Sequence, residues 1–169
     1  MLFRSALARL VEEGVDVHYA IVGIGEDETY LKELAVETGV SDRVHLLGHV
    51  SMEDLPRWYC AADLFAMPNR TVNNDTEGFG KVYIEAAACG RPAIGGLVGG
   101  TGAAVLDGIT GLRVDGASLE EVTNALRRLL SDSMLARRLG EQGRRRAVES
   151  FSWEQVAHQK DLVFREMQK

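Results

Sequence analysis

Apolar positions along the chain fall into two spacings that alternate from one end to the other. Leu2, Phe3, Ala6, Leu7, Leu10 and Val11 recur at helical intervals and Gly14 stops the run, which predicts a helix over 2–13. The β-rich run VHYAIV predicts a strand over 17–22, ended by Gly23. Helical period returns through Tyr30, Leu31, Leu34 and Ala35, so a helix is expected over 27–38, closed by Gly39. A second strand follows at 44–47, and SMED at 51–54 has the pattern of a capping box opening a helix to about 62. LFAM at 64–67 is a third strand, stopped by Pro68. An alanine-rich helix is expected over 81–89, with Gly90 as its C-cap and Pro92 just beyond. Fourth and fifth strands start at 93–94 and 111–114.

The last third of the chain has only helical spacing. Ser118-x-x-Glu121 caps a helix with Leu119, Val122, Leu126, Leu129 and Leu130 on one face. A second helix is predicted over 135–148, and Ser152-x-x-Gln155 caps a third that runs to the end. Strands alternating with helices make an α/β fold, a parallel sheet with helices on both faces and a helical C-terminal tail. Such sheets bind ligands at the carboxyl ends of their strands. Function is therefore sought after Val22, after Leu47, and between Met67 and Glu85.

Three segments at those places carry chemistry. Gly23-Ile24-Gly25 can turn backbone amides toward an anion, or can simply make a tight strand-to-helix turn. It lacks the third glycine of a dinucleotide fingerprint, because position 28 is Glu. The run NRTVNNDTEGFGKVYIE at 69–85 is a polar loop that becomes a helix near Gly80. Glu77 stands at the mouth of that helix and Glu85 roughly 7 Å along its axis. Free amides at the helix start suit a phosphate, and carboxylates on either side accept hydrogen bonds from hydroxyls. A ligand with hydroxyls at both ends and phosphates between them, a nucleotide sugar, matches that pattern. The plainer alternative makes Glu77 a helix-start charge and Glu85 a solvated helix residue. The third segment holds Gly95, Gly96, Gly99, Gly100 and Gly102, which permit close approach of backbone to a ligand or a mobile loop.

Composition narrows the field further. At 169 residues, 46% hydrophobic and 26% charged, the chain suits one globular domain. A net charge of -6 argues against a nucleic-acid partner. No apolar run approaches the roughly eighteen residues of a membrane span. Met1-Leu2-Phe3-Arg4 has no signal-peptide pattern, so a cytoplasmic location is expected. Cys60 and Cys89 fit no metal or redox spacing and are read as two free thiols. His18, His45, His49 and His158 have no partner at metal spacing and are read as structural or surface residues. Arg127, Arg128, Arg137, Arg138, Arg144, Arg145 and Arg146 form a basic excess. It is either a solvated helix face or a peripheral contact with anionic lipid head groups on the inner face of the membrane.

The order of short patterns resembles one family along nearly the whole chain. Those patterns are Val22-Gly23-x-Gly25, Val44-x-Leu46-Leu47-Gly48-x-Val50, Ala62-Asp63-Leu64, Pro68 and Glu77-Gly78-Phe79-Gly80. They continue through Glu85-Ala86-x-Ala88-x-Gly90-x-Pro92, Gly99-Gly100, Asp107-Gly108-x-x-Gly111 and Phe151-Ser152-Trp153. Together they resemble the C-terminal, donor-binding domain of the retaining glycosyltransferases of family 4. Two Rossmann-like domains make up the GT-B fold of that family, and Glu77 to Glu85 is similar to its E-x7-E motif.

The resemblance implies a role for each matching position. Glu77 would contact hydroxyls of the transferred sugar as the catalytic positioning group, and Glu85 would bind the ribose hydroxyls. Backbone amides of Phe79, Gly80, Lys81 and Val82 would hold the sugar and diphosphate. Leu47, Gly48 and Val50 would line the base, and Gly23, Gly25, Gly99 and Gly100 would approach the donor. It also implies a nucleotide-diphosphate sugar as co-substrate, with no metal or other cofactor, and hexosyl transfer to a glycan or lipid in envelope synthesis. The polar insert at 70–76 is similar to members that mannosylate lipids.

Two departures from the family are visible. Ala103 stands where members usually carry Glu. The acceptor domain, the first donor-domain strand and an Arg/Lys diphosphate clamp are expected upstream. The chain is therefore expected to be the donor part, 1–169, of a longer protein, inactive alone, with an open sheet edge that invites self-association. The alternatives are a degenerate, non-catalytic interaction module and a nucleotide-sugar epimerase of the same fold.

Overall fold

The computed structural model describes residues 2–167. Met1 and residues 168–169 lie outside the description, as do the side chains of Leu2 and Phe3 placed above on the first apolar face. The elements run α1 (Leu2–Glu12), β1 (Tyr19–Val22), α2 (Glu28–Glu37), β2 (Val44–Gly48), α3 (Leu55–Ala61), β3 (Phe65–Met67) and α4 (Lys81–Ala88). They continue with β4 (Ala93–Gly96), α5 (Thr101–Ala104), β5 (Gly111–Val114), α6 (Leu119–Ser131), α7 (Ser133–Phe151) and α8 (Trp153–Met167).

Among the described residues all the strand pairs are parallel, as expected, but they form two ladders and not one continuous sheet. β1 pairs with β2, while β3, β4 and β5 form a second ladder in that order. Met67 at the carboxyl end of β3 lies opposite Gly95 of β4, and Gly96 opposite Val114 of β5, so the carboxyl ends of the three strands are nearly level.

The larger ladder is covered on both faces. On one side Ile94, Leu112 and Val114 pack with Ala6 and Leu10 of α1 and with Val122, Leu126, Leu129, Leu135 and Leu139 of α6 and α7. On the other, Tyr83 packs with Ala93, Ala104 and Val105, and with the partly buried Phe65, Met67 and Phe79. Successive residues of β3 point to opposite faces, as the strand period requires. Leu64 and Ala66 join the first cluster, and Phe65 and Met67 join the second.

Helix ends differ from the sequence reading where side chains compete for the first turn. The Ser51 hydroxyl accepts the Asp54 amide at 3.1 Å, so the capping contact forms, yet α3 begins only at Leu55. Pro56 sits in its first turn, where its lack of an N–H does no harm. Asp132, not foreseen as a cap, accepts the Leu135 amide at 2.9 Å and starts α7 at Ser133. The stretch after Gly100, read as a loop, contains the short helix α5.

Candidate functional site

The chain leaves the buried strand β3 through Pro68 and returns as α4. Between them Asn73 and Asn74 both have positive φ, and Val72 and Asp75 exchange backbone hydrogen bonds of 2.9 and 2.8 Å. That is the two-residue hairpin that Asn tolerates best after Gly. The polar insert is therefore a small exposed hairpin before Glu77.

Gly80 caps α4 at φ +78, and a methyl group there would meet the Tyr83 ring at 2.4 Å. No side chain caps the helix. Tyr83 is fully buried, its hydroxyl 2.5 Å from the Met67 carbonyl oxygen and 3.0 Å from Asn69 Oδ1. Asn69 Oδ1 also accepts the Gly96 amide at 3.0 Å, which ties the ends of β3 and β4 to the start of α4. The helix start is thus fixed from beneath while its first turn stays open to an anion.

Glu77 is half-buried, and its carbonyl accepts the Gly100 amide at 3.1 Å. A Cβ on Gly99 would lie 2.0 Å from the Glu77 oxygen, and one on Gly100 1.8 Å from the Gly78 oxygen. The double glycine therefore lets two stretches of backbone meet behind Glu77. Phe79 turns away to pack on Phe151, with ring centroids 5.6 Å apart. Arg146 stacks 4.8 Å over Phe151 and donates to the Ala103 and Ala104 carbonyls at 2.6 and 3.0 Å. The end of α7 thereby braces the Glu77 loop and α5 together.

One and a half turns into α4, half-buried Glu85 accepts a hydrogen bond from Tyr59 of α3 at 3.0 Å. Burial first, then the Glu85 carboxylate, hold the Tyr59 hydroxyl well above the usual phenol range, so it stays a donor. α3 also walls a cleft of about 450 Å³ beyond β2, lined by His49, Val50, Ser51, Arg57, Trp58 and Ala61. A second, of about 210 Å³, is lined by Gly23, Ile24, Gly25, Leu31, Leu46 and Gly48.

A profile described as Glycosyl transferases group 1 matches residues 2–146. The chain belongs to that family. It is 41% identical over 155 residues to the GDP-mannose-dependent alpha-(1-6)-phosphatidylinositol monomannoside mannosyltransferase of Mycolicibacterium smegmatis, which covers 90% of this chain and 40% of that protein. Sucrose-phosphate synthase from Thermosynechococcus elongatus superimposes with a TM-score of 0.81 at 31% identity, over 96% of this chain and 41% of the other. Anabaena HepE, solved in complex with UDP, has a TM-score of 0.84 at 24% identity, over 98% of this chain and 44% of the other, a likeness of fold. The chain thus spans about 40% of the length of the curated relative above.

In this glycosyl transferases group 1 chain the expected site residues fall into two groups. Glu77, Phe79, Gly80, Lys81, Val82, Gly99 and Gly100 gather around the start of α4, with Glu85 further along it. Gly23, Gly25 and Gly48 line the smaller cleft and Val50 the larger, while Leu47 lines neither of the two. Gly99 and Gly100 lie against the backbone of Glu77 and Gly78. His18 and His45, expected to be structural or surface residues, lie side by side across β1 and β2, with Nδ1 and Nε2 2.9 Å apart. Sequence reasoning gave no role to Tyr59 and did not foresee the contacts of Asn69 and Arg146, because each acts on a segment far away along the chain. The one available signal was Glu85, a carboxylate among apolar neighbours that demanded a donor.

Proposed function

We propose that this chain is the nucleotide-sugar donor-binding part of a retaining glycosyltransferase that takes mannose from GDP-mannose for an inositol-containing lipid acceptor. The observation that carries this reading is the pair of half-buried carboxylates, Glu77 and Glu85, set on either side of an uncapped helix start. The first turn of α4 supplies amides for the diphosphate. Glu85 then meets the ribose hydroxyls and Glu77 those of the sugar. Glu77 serves in positioning and charge stabilisation. Charge at the diphosphate is assigned to protein donors and not to a metal ion. The cleft beyond β2 is the space assigned to the base. The GDP-mannose dependence of the relative in Mycolicibacterium smegmatis supports guanine and mannose, and that enzyme's phosphatidylinositol monomannoside acceptor supports a lipid. The exposed arginines Arg138, Arg144 and Arg145 of α7 supply positive charge toward a membrane that holds such an acceptor.

Titration of the isotope-labelled chain with GDP, UDP and ADP, followed by NMR, tests the reading. GDP should shift amides at 48–50 and 79–85 and bind tighter than the other two. Glu85→Ala should weaken GDP by about ten- to a hundredfold, the worth of hydrogen bonds to a charged group. Unchanged affinity in that variant removes Glu85 from the site.

A further inference from the structure

Cys60 and Cys89 share no informative spacing in the sequence, yet the fold brings both to one contact between α3 and α4. Cys60 is the penultimate residue of α3, and Cys89 is the C-cap of α4. The Cys89 Sγ lies 3.8 Å from the carbonyl oxygen of Pro56, one turn before Cys60. Just beyond Cys89, Arg91 donates to the Cys60 carbonyl at 2.7 Å. Two helix ends are thus held face to face, with a cysteine from each at the contact. Their neighbours belong to the candidate site. Tyr59, adjacent to Cys60, donates to Glu85, one turn before Cys89. Cys60 is exposed and Cys89 half-buried, so a dissolved oxidant meets Cys60 first.

We propose that Cys60 and Cys89 form a reversible disulfide that clips α3 to α4 and weakens nucleotide binding at Glu85. The second half of this statement rests on the donor reading above. The oxidant is a small-molecule disulfide, RSSR. The Cys60 thiolate attacks one of its sulfurs, forming a mixed disulfide and releasing one RSH. The Cys89 thiolate then attacks the Cys60 sulfur and releases the second RSH, so two thiols are oxidised while one disulfide is reduced. Burial pushes the Cys89 thiol up, and the neighbouring Cys60 adds to it, which makes Cys89 the resolving partner. Closing the bond sets the two sulfurs about 2 Å apart. This draws α3 onto α4 and pins the Tyr59 hydroxyl on Glu85 Oε2, an oxygen that a ribose hydroxyl would otherwise take. The expected loss of nucleotide affinity is about tenfold, the worth of one hydrogen bond to a charged group.

The test equilibrates the full chain with mixtures of reduced and oxidised glutathione, traps remaining thiols, and weighs the products. The wild type should lose two hydrogens with no glutathione attached, and dithiothreitol should reverse it. Cys60→Ser and Cys89→Ser should each carry one glutathione instead. A wild type that collects glutathione adducts or intermolecular dimers, without the internal bond, overturns the clip. GDP is then titrated into reduced, clipped and dithiothreitol-restored chain, with oxidant-treated Cys89→Ser as control. A tenfold loss confined to the clipped form supports the gating, and equal affinities overturn it. Absence of GDP binding in the reduced chain overturns the donor reading and the gating with it, and the mass result alone then judges the clip.

Discussion

A carboxylate placed among the alanines of a half-buried helix needs a donor, and Tyr59 supplies one to Glu85 from across the α3–α4 contact. The same pairing makes stability depend on alkaline pH. The phenol titrates near pH 10 in the unfolded chain and higher in the folded one, where burial and Glu85 oppose its ionisation. Its contribution is therefore complete below about pH 10 and is lost as pH rises from there through the raised folded value. Urea unfolding should show wild type losing more stability between about pH 8 and 11 than Tyr59→Phe, with the variant weaker by about 1–2 kcal/mol at neutral pH. Identical pH slopes would remove the Tyr59–Glu85 link. Glu77 and Glu85 were both legible as candidates from chemistry and spacing. Tyr59 was not, because nothing in a sequence says which distant hydroxyl will answer a buried carboxylate.

At the scale of elements, α4 owes its position to the small residues of α7. A Cβ on Gly140 would lie 2.1 Å from the Gly90 carbonyl oxygen, and one on Gly143 3.3 Å from the Ala87 Cβ. Both glycines are buried, as is Ala147 one turn on, so the two helices meet almost backbone to backbone. Gly140→Ala isolates this contact. In a free helix the change would add about 1 kcal/mol of stability. Against the Gly90 backbone, overpacking should reverse the sign and give a net loss of about 2 kcal/mol by thermal or urea unfolding. A stabilised variant would show that α7 does not hold α4. The helices themselves were readable from their apolar stripes, capping serines and terminal glycines. The crossing was not, since a glycine inside a helical pattern reads as a weakness until its neighbour is known.

Across the whole molecule, packing is uneven between the two ladders. β4 is buried at every position, whereas β1 alternates between half-buried and exposed residues, with Val22 42% exposed. Parallel strands are ordinarily covered on both faces, and a two-stranded ladder is marginal by itself. Native-state hydrogen exchange should find the β1–β2 amides opening roughly tenfold or more faster than those of β4. Equal protection in the two ladders would mean that they unfold as one unit. In both ladders the strands that pair are neighbours in the chain order, β1 with β2, β3 with β4 and β4 with β5.

Alternation of two hydrophobic periods was sufficient to determine the class of fold, the order of elements and the parallel sense of the strands. These depend on local propensity and on burying one face of each segment. Motif spacing singled out Glu77, Glu85 and the glycines, because an E-x7-E across a loop–helix boundary is a local feature. Tertiary structure alone decided the rest: Tyr59 on Glu85, Arg146 bracing α5, Gly99 and Gly100 against the Glu77 loop, Cys60 and Cys89 at one contact between α3 and α4, and the division into two ladders. Each of these joins residues distant in sequence, where pairing is set by how layers pack and which buried polar groups must find partners.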